Sequence, residues 1–115
     1  MRRGDIWTTA GSRGYMGKPR PAVIIQDDRF DATDSVTICA FTTDPTPAPL
    51  MRLPVEPDAD NGLDRRSSLM VDKITTVSRS RLCERIGSLA ERDMTRLGRA
   101  LVVFVGLAGN SSQKE

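Results

Sequence analysis

The segment Gly17-Lys18-Pro19-Arg20-Pro21-Ala22-Val23-Ile24-Ile25-Gln26 sets a cation at the mouth of a continuous apolar run. Proline fixes its own φ and drives the residue before it toward extended geometry. Arg20 stands between two prolines and is therefore held extended. The run from Ala22 to Gln26 reads as a strand buried on both faces, because a half-buried strand would alternate apolar and polar. A guanidinium has five fixed donors and a permanent charge, which suits an oxyanion such as phosphate. The same residues also allow a plainer outcome, in which Arg20 begins a strand and its side chain is solvated.

Outward from this strand, apolar residues come in short bursts between turn formers, the pattern of β structure. Ile6-Trp7-Thr8 is a first short strand, and Gly11 to Gly17 is a glycine-rich hairpin loop. Asp27-Asp28 and Asp31 to Ser35 make a polar turn, then Val36 to Thr42 forms a strand rich in β-branched residues. Three prolines between Asp44 and Pro49 remove ladder donors, so that stretch is a loop. Arg52 to Val55 reads as an edge strand, and Pro57 to Arg66 as a polar excursion with a turn at Asn61-Gly62. Ser68 to Asp72 and Leu82 to Ile86 are further strands.

The end of the chain changes period. Ser88-Leu89-Ala90-Glu91 has the spacing of a capping box and predicts a helix start. Met94, Leu97, Leu101, Phe104 and Leu107 or Ala108 follow as one apolar stripe, and Gly109-Asn110 marks the stop. Leu101 to Val105 is apolar all round. That predicts a partner subunit at Leu101, Phe104 and Val105, against the alternative of a core helix with two exposed valines. The expected architecture is a mainly β domain over residues 1–110, with five to seven strands bent into a small barrel, a C-terminal helix, and a tail at 111–115.

Composition narrows the chemistry. At 115 residues, with 38% hydrophobic and 28% charged, the chain is one soluble globular domain. It has no apolar run of the ~20 residues needed to cross a bilayer and no secretory leader after Met1-Arg2-Arg3, so a cytoplasmic protein is expected. In a reducing compartment Cys39 and Cys83 read as small buried hydrophobes within strands. Net charge is only +2, but all 17 basic residues except Lys18, Lys73 and Lys114 are arginine. Arginine favours phosphate and base recognition, although a GC-rich genome gives the same bias. Histidine is absent. That excludes Ser-His and Cys-His nucleophiles and paired-histidine acid–base catalysis. With no CxxC and no Gly-rich phosphate loop, no metal and no cofactor are expected.

Four segments together resemble the MazF/PemK (Kid) family of toxin ribonucleases: Arg3 to Trp7, Lys18 to Asp27, Ile38 to Thr43, and Ser68 to Val77 leading to Arg85 through Leu89. The resemblance implies an SH3-like barrel that forms a homodimer and cuts single-stranded RNA at short sequences without a metal, leaving a 2′,3′-cyclic phosphate and a 5′-hydroxyl. It also implies a MazE-like antitoxin that inserts an acidic segment across the RNA site and can tether the complex to DNA. Residue by residue, the family's catalytic arginine falls on Arg20, its catalytic threonine on Thr42, and the aspartate with a catalytic role in some members on Asp72. Asp72 is the best candidate for the general base, against the alternative of an aspartate pairing with Lys73 or Arg20. Lys18, Thr43, Arg52, Arg65 and Arg66 are candidate RNA contacts, each also readable as an ordinary surface residue. The loops Gly11–Gly17 and Asp44–Pro49 would wall the groove. Tyr15 and Trp7 are possible stacking platforms, with Trp7 favoured for the core.

The chain departs from the family pattern at Tyr15-Met16-Gly17, where several relatives carry an acid, and at Met70, where some carry an arginine. The general base and second cation stay open at this point. Two rival readings share the fold: a gyrase-poisoning toxin of the CcdB kind, acting through its C-terminal helix, and a catalytically silent binding module.

Overall fold

The computed structural model describes residues 1–10 and 19–109. The expected Gly11–Gly17 loop, with Tyr15 and Lys18, and the 111–115 tail lie outside the described residues. Seven strands build one antiparallel sheet: β1 (Asp5–Thr9), β2 (Arg20–Ile24), β3 (Ser35–Thr42), β4 (Arg52–Val55), β5 (Ser67–Met70), β6 (Thr75–Ser78) and β7 (Leu82–Ser88). Among the described residues one α-helix, α1 (Glu91–Phe104), follows. The strand order is β4-β5-β3-β2-β1-β7, with β6 also on β3. The sheet curls in the manner of a small barrel without closing, since its ends β4 and β7 do not pair with each other.

The bend originates on one edge of β3. Its second half pairs with β5 at Phe41↔Leu69, and its first half pairs with β6 at Ile38↔Thr75. Along β3 that is three residues, from 41 back to 38; along the partner it is six, from 69 to 75. The surplus is taken up by a 3-10 turn at Val71–Lys73. An extra stretch on one side of a ladder bends and twists it. Asp72, expected in a strand running from Ser68, therefore sits in this turn. The strand ends at Met70, and β6 was not anticipated because Thr75–Ser78 has no apolar alternation strong enough to announce it.

Both faces of β2 are covered, as its continuous apolar run requires. Val23 joins Ile6, Cys39, Phe41, Leu69, Val71, Leu89, Met94 and Leu97 in the main core, beneath α1. Ala22 and Ile24 face the other way, with Val36 and Ile38, against Trp7, Ala40, Val77 and Leu82. Trp7 is thus a partly buried packing residue. Cys39 is fully buried, but Cys83 is exposed, which corrects the expectation that both are core hydrophobes. Its place on β7 is solvent-facing because β7 is an edge strand.

The helix boundaries also differ from the sequence reading. Ser88 remains in β7, opposite Asp5, and its N–H donates to the Asp60 carbonyl. Ala90 caps the helix instead, without a side-chain hydrogen bond, and Glu91 becomes the first helical residue rather than the third. The capping box therefore cannot close. Glu91 and Asp93 still place negative charge in the first turn, where the helix dipole favours it. At the other end Gly106, at φ +79°, reverses the chain before Gly109 is reached. The N–H of Leu107 donates to Val102 at 2.8 Å and that of Gly106 to Val103 at 3.1 Å. This pair of bonds is a Schellman motif, and the left-handed position explains the glycine.

Leu97 is 1% exposed at the centre of the main core, so Leu97→Ala should cost about 2–5 kcal/mol of unfolding free energy in guanidinium melts. The two thiols should separate cleanly. Burial pushes the Cys39 thiol up to about 12, and the thiolate is the reactive form. Iodoacetamide should label Cys83 in the native protein and Cys39 only after unfolding; mass spectrometry of labelled peptides checks this.

Candidate functional site

The register of β2 on β3 decides which side chains share a face. Ala22 pairs with Ala40, and Ile24 with Ile38. Side chains two apart along a strand point the same way. Arg20 therefore lies on the face of Ala22, and Thr42 on the face of Ala40, at the same end of the sheet. Thr9 is the β1 partner of Arg20, and its hydroxyl donates to the Arg20 carbonyl at 3.2 Å. The backbone of Arg20 is thus tied down, as the flanking prolines suggest.

Thr42 is oriented from the other side. Its Oγ1 accepts the Asp44 N–H at 3.2 Å. Because this bond uses the hydroxyl as an acceptor, its own proton can still be donated. Asp44 in turn accepts from the Thr46 N–H at 2.9 Å and the Thr46 hydroxyl at 2.7 Å, which holds its carboxyl below the usual carboxylate range. The start of the proline loop is therefore structured at the point where it leaves β3.

A cleft of about 460 Å³ opens beside Arg20. Thr43, Asp64, Arg65 and Ser67 contribute polar groups to it, over an apolar wall that includes Pro21 and Ile86. A neighbouring recess of about 330 Å³ is lined by Arg52, Arg66, Ser68 and Arg96 beneath the prolines of the Asp44–Pro49 loop. Of the cations singled out in the sequence, Arg65 shares the Arg20 cleft. Arg66 lines the recess and pairs with Glu56 at 2.7 Å, both well exposed. Arg52 is bound to Asp72. The Asp64 position had no signal in the sequence: it lay within a polar excursion, and only folding carries it to Arg20. Among the described residues, no three Cys, Asp or Glu side chains converge into a set that could hold a metal ion.

Asp72 lies two residues after Met70, whose carbonyl accepts from the Cys39 thiol at 3.4 Å. Asp72 forms an ion pair with Arg52 in which both side chains are about one-fifth exposed. The hydrogen bond from Arg52 is the main reason its carboxyl is lowered from 3.8. A carboxyl with a depressed folded-state value contributes stability above its unfolded value, and that contribution disappears as pH falls through the folded one.

The far end of α1 carries a second notable surface. Leu101 is half-buried against the core, but Phe104 is 49% and Val105 58% exposed, and Val102, Val103 and Leu107 are exposed beside them. Among the described residues no helix is long and apolar enough to cross a membrane. The pairing of Asp72 is testable by carbon-detected NMR titration: its midpoint should fall below 3.8 in the native protein and rise in Arg52→Ala.

Residues 2–105 match the family model described as PemK-like, MazF-like toxin of type II toxin–antitoxin system. A Mycolicibacterium smegmatis protein described as a probable endoribonuclease MazF is 62% identical over 109 residues, spanning 95% of this chain and 100% of that one. Among solved structures, the Mycobacterium tuberculosis toxin MazF-mt6 superposes with a TM-score of 0.74 at 25% identity, covering 90% of this chain and 97% of the other. An endoribonuclease in complex with its cognate antitoxin, from a mycobacterial species, gives a TM-score of 0.73 at 22% identity over 93% and 94% of the two chains. A family match over nearly the whole length, joined to the same fold, leaves one assignment: the chain belongs to the PemK-like, MazF-like toxins of type II toxin–antitoxin systems.

Proposed function

We propose that this toxin is a sequence-specific endoribonuclease acting on single-stranded RNA. The reading is supported by the 62% identity to a relative described as a probable endoribonuclease MazF, and by the common face and common end of the sheet that Arg20 and Thr42 occupy. RNA brings its own nucleophile, the 2′-hydroxyl, so a chain without histidine has sufficient chemistry. Attack on phosphorus forms the P–O2′ bond as the 2′-hydroxyl gives its proton to solvent. It breaks P–O5′ as the departing oxygen takes one up from solvent, giving a 2′,3′-cyclic phosphate and a 5′-hydroxyl. The transient phosphorane carries extra negative charge. Arg20 clamps its oxygens, and the Thr42 hydroxyl donates to one of them. Arg20 does not act as a proton acceptor, since guanidinium is not deprotonated in proteins.

Asp72 serves this site through Arg52. A carboxylate held below its ordinary value is a weak base at neutral pH, whereas a carboxylate paired to Arg52 fixes that cation toward the recess under the proline loop. Lys18, Thr43, Arg65 and Arg66 add contacts to the RNA, and Tyr15 offers a stacking surface. The gyrase-directed alternative leaves Arg20 and Thr42 without a role.

Two partners complete the proposal. A second copy of the chain covers Leu101, Phe104 and Val105, and a MazE-like antitoxin blocks the RNA groove. The antitoxin assignment is supported by the family description and by the solved endoribonuclease–antitoxin complex.

Loss of one preorganised donor to an oxyanion lowers rate about 100- to 1,000-fold. Arg20→Ala should fold normally and show a loss of that size in single-turnover cleavage of a long RNA in EDTA, with ends mapped by primer extension. Cleavage at the native rate would remove Arg20 from the chemistry. Replacement of the exposed Phe104 by aspartate should shift sedimentation from dimer to monomer at micromolar concentration.

A further inference from the structure

The cleft beside Arg20 holds more than phosphate-binding cations. It contains a carboxylate, Asp64, together with apolar surface from Pro21, Leu63 and Ile86. Arg20 and Arg65 also line it, so phosphate can approach at Arg20, while the Asp64 carboxylate repels phosphate oxygens at its own position. Apolar surface mixed with a few hydrogen-bonding groups also suits a planar heterocycle.

The segment that presents Asp64 is rigidly fixed. Asn61 is fully buried, with its Oδ1 accepting from the Asp58 N–H at 3.2 Å and the Leu63 N–H at 3.0 Å. Its Nδ2 donates to the Glu56 carbonyl at 2.9 Å. Asp58 accepts from the N–H groups of Asp60 and Asn61, each at 2.8 Å. Gly62 turns at φ +70°, so close to β7 that a Cβ would collide with the Ile86 carbonyl. Leu63 then enters the main core. The chain thus leaves a pinned point as it delivers Asp64 and Arg65 to the cleft. A recognition group held this way loses little freedom on binding.

We infer that this cleft receives the base next to the scissile phosphate, and that Asp64 selects bases carrying an exocyclic amino group over uracil. Cytosine, adenine and guanine each offer an N–H₂ donor to a carboxylate oxygen. Uracil has no amino group, carries acceptors at O2 and O4, and offers a carboxylate only its single N3–H. Arg65, on the same rim, donates to the neighbouring acceptor of the base. The inference rests on the ribonuclease reading above and adds to it a residue that sets sequence preference.

The test uses chimeric oligonucleotides with all four bases at each position flanking the cut, scored by sequencing of products for the native protein and Asp64→Asn. The asparagine keeps the size of the side chain and offers an N–H₂ that can donate to uracil O4. The native protein should prefer an amino-bearing base over uracil at one flanking position by about 10- to 100-fold, the range of one good base contact. Asp64→Asn should erase most of that preference, read as the ratio of cutting rates among the four bases within each protein. An unchanged preference in the variant, or no preference in the native protein, overturns the inference. Abolished cutting by a normally folded variant also overturns it, because Asp64 would then belong to the chemistry. Failure of the native protein to cut any RNA would instead overturn the ribonuclease reading.

Discussion

The antiparallel register of β2 on β3 is the constraint on which the site depends. With Ala22 opposite Ala40, Arg20 and Thr42 share one face and one end of the sheet. A slip of one residue would send one of the two to the other face, because side chains alternate strictly along a strand. The register is held by apolar surface on both sides: Val23, Cys39 and Phe41 inward, Ala22, Ile24 and Ile38 outward. The packing that stabilises the domain also aligns its cation with its hydroxyl.

Around that alignment the fold uses irregularities to aim polar groups. The three residues inserted between β5 and β6 bend the sheet and lift Asp72 out of the ladder, where it pairs with Arg52. The buried Asn61 organises the stretch that carries Asp64 and Arg65 to the Arg20 cleft. In both cases a backbone that could not pair in a regular strand is satisfied locally, as buried backbone groups must be. The result is two adjoining basic recesses, one with a carboxylate at its rim and one under prolines.

Much of this was legible in the sequence for specific reasons. The doubly flanked arginine marked its own strand, because proline restricts both itself and its predecessor. The apolar run after it required two covered faces, and two were found. The helix was visible from its stripe, but its ends were misplaced. Ser88 was claimed by β7 through its pairing with Asp5, and Gly106 closed the helix before Gly109 could. Cys83 escaped because its exposure follows from β7 lying at an edge, a fact of topology and not of local composition.

The sequence by itself determined the strand-rich architecture, the absence of imidazole chemistry, and the rigid display of one arginine, because proline geometry and side-chain inventory are local properties. Only the tertiary structure decided that Asp72 would pair with Arg52, that Asp64 would stand in the Arg20 cleft, and that Asn61 would be buried. Each of those depends on residues far apart in the chain meeting through strand register, and no spacing along the sequence encodes that distance.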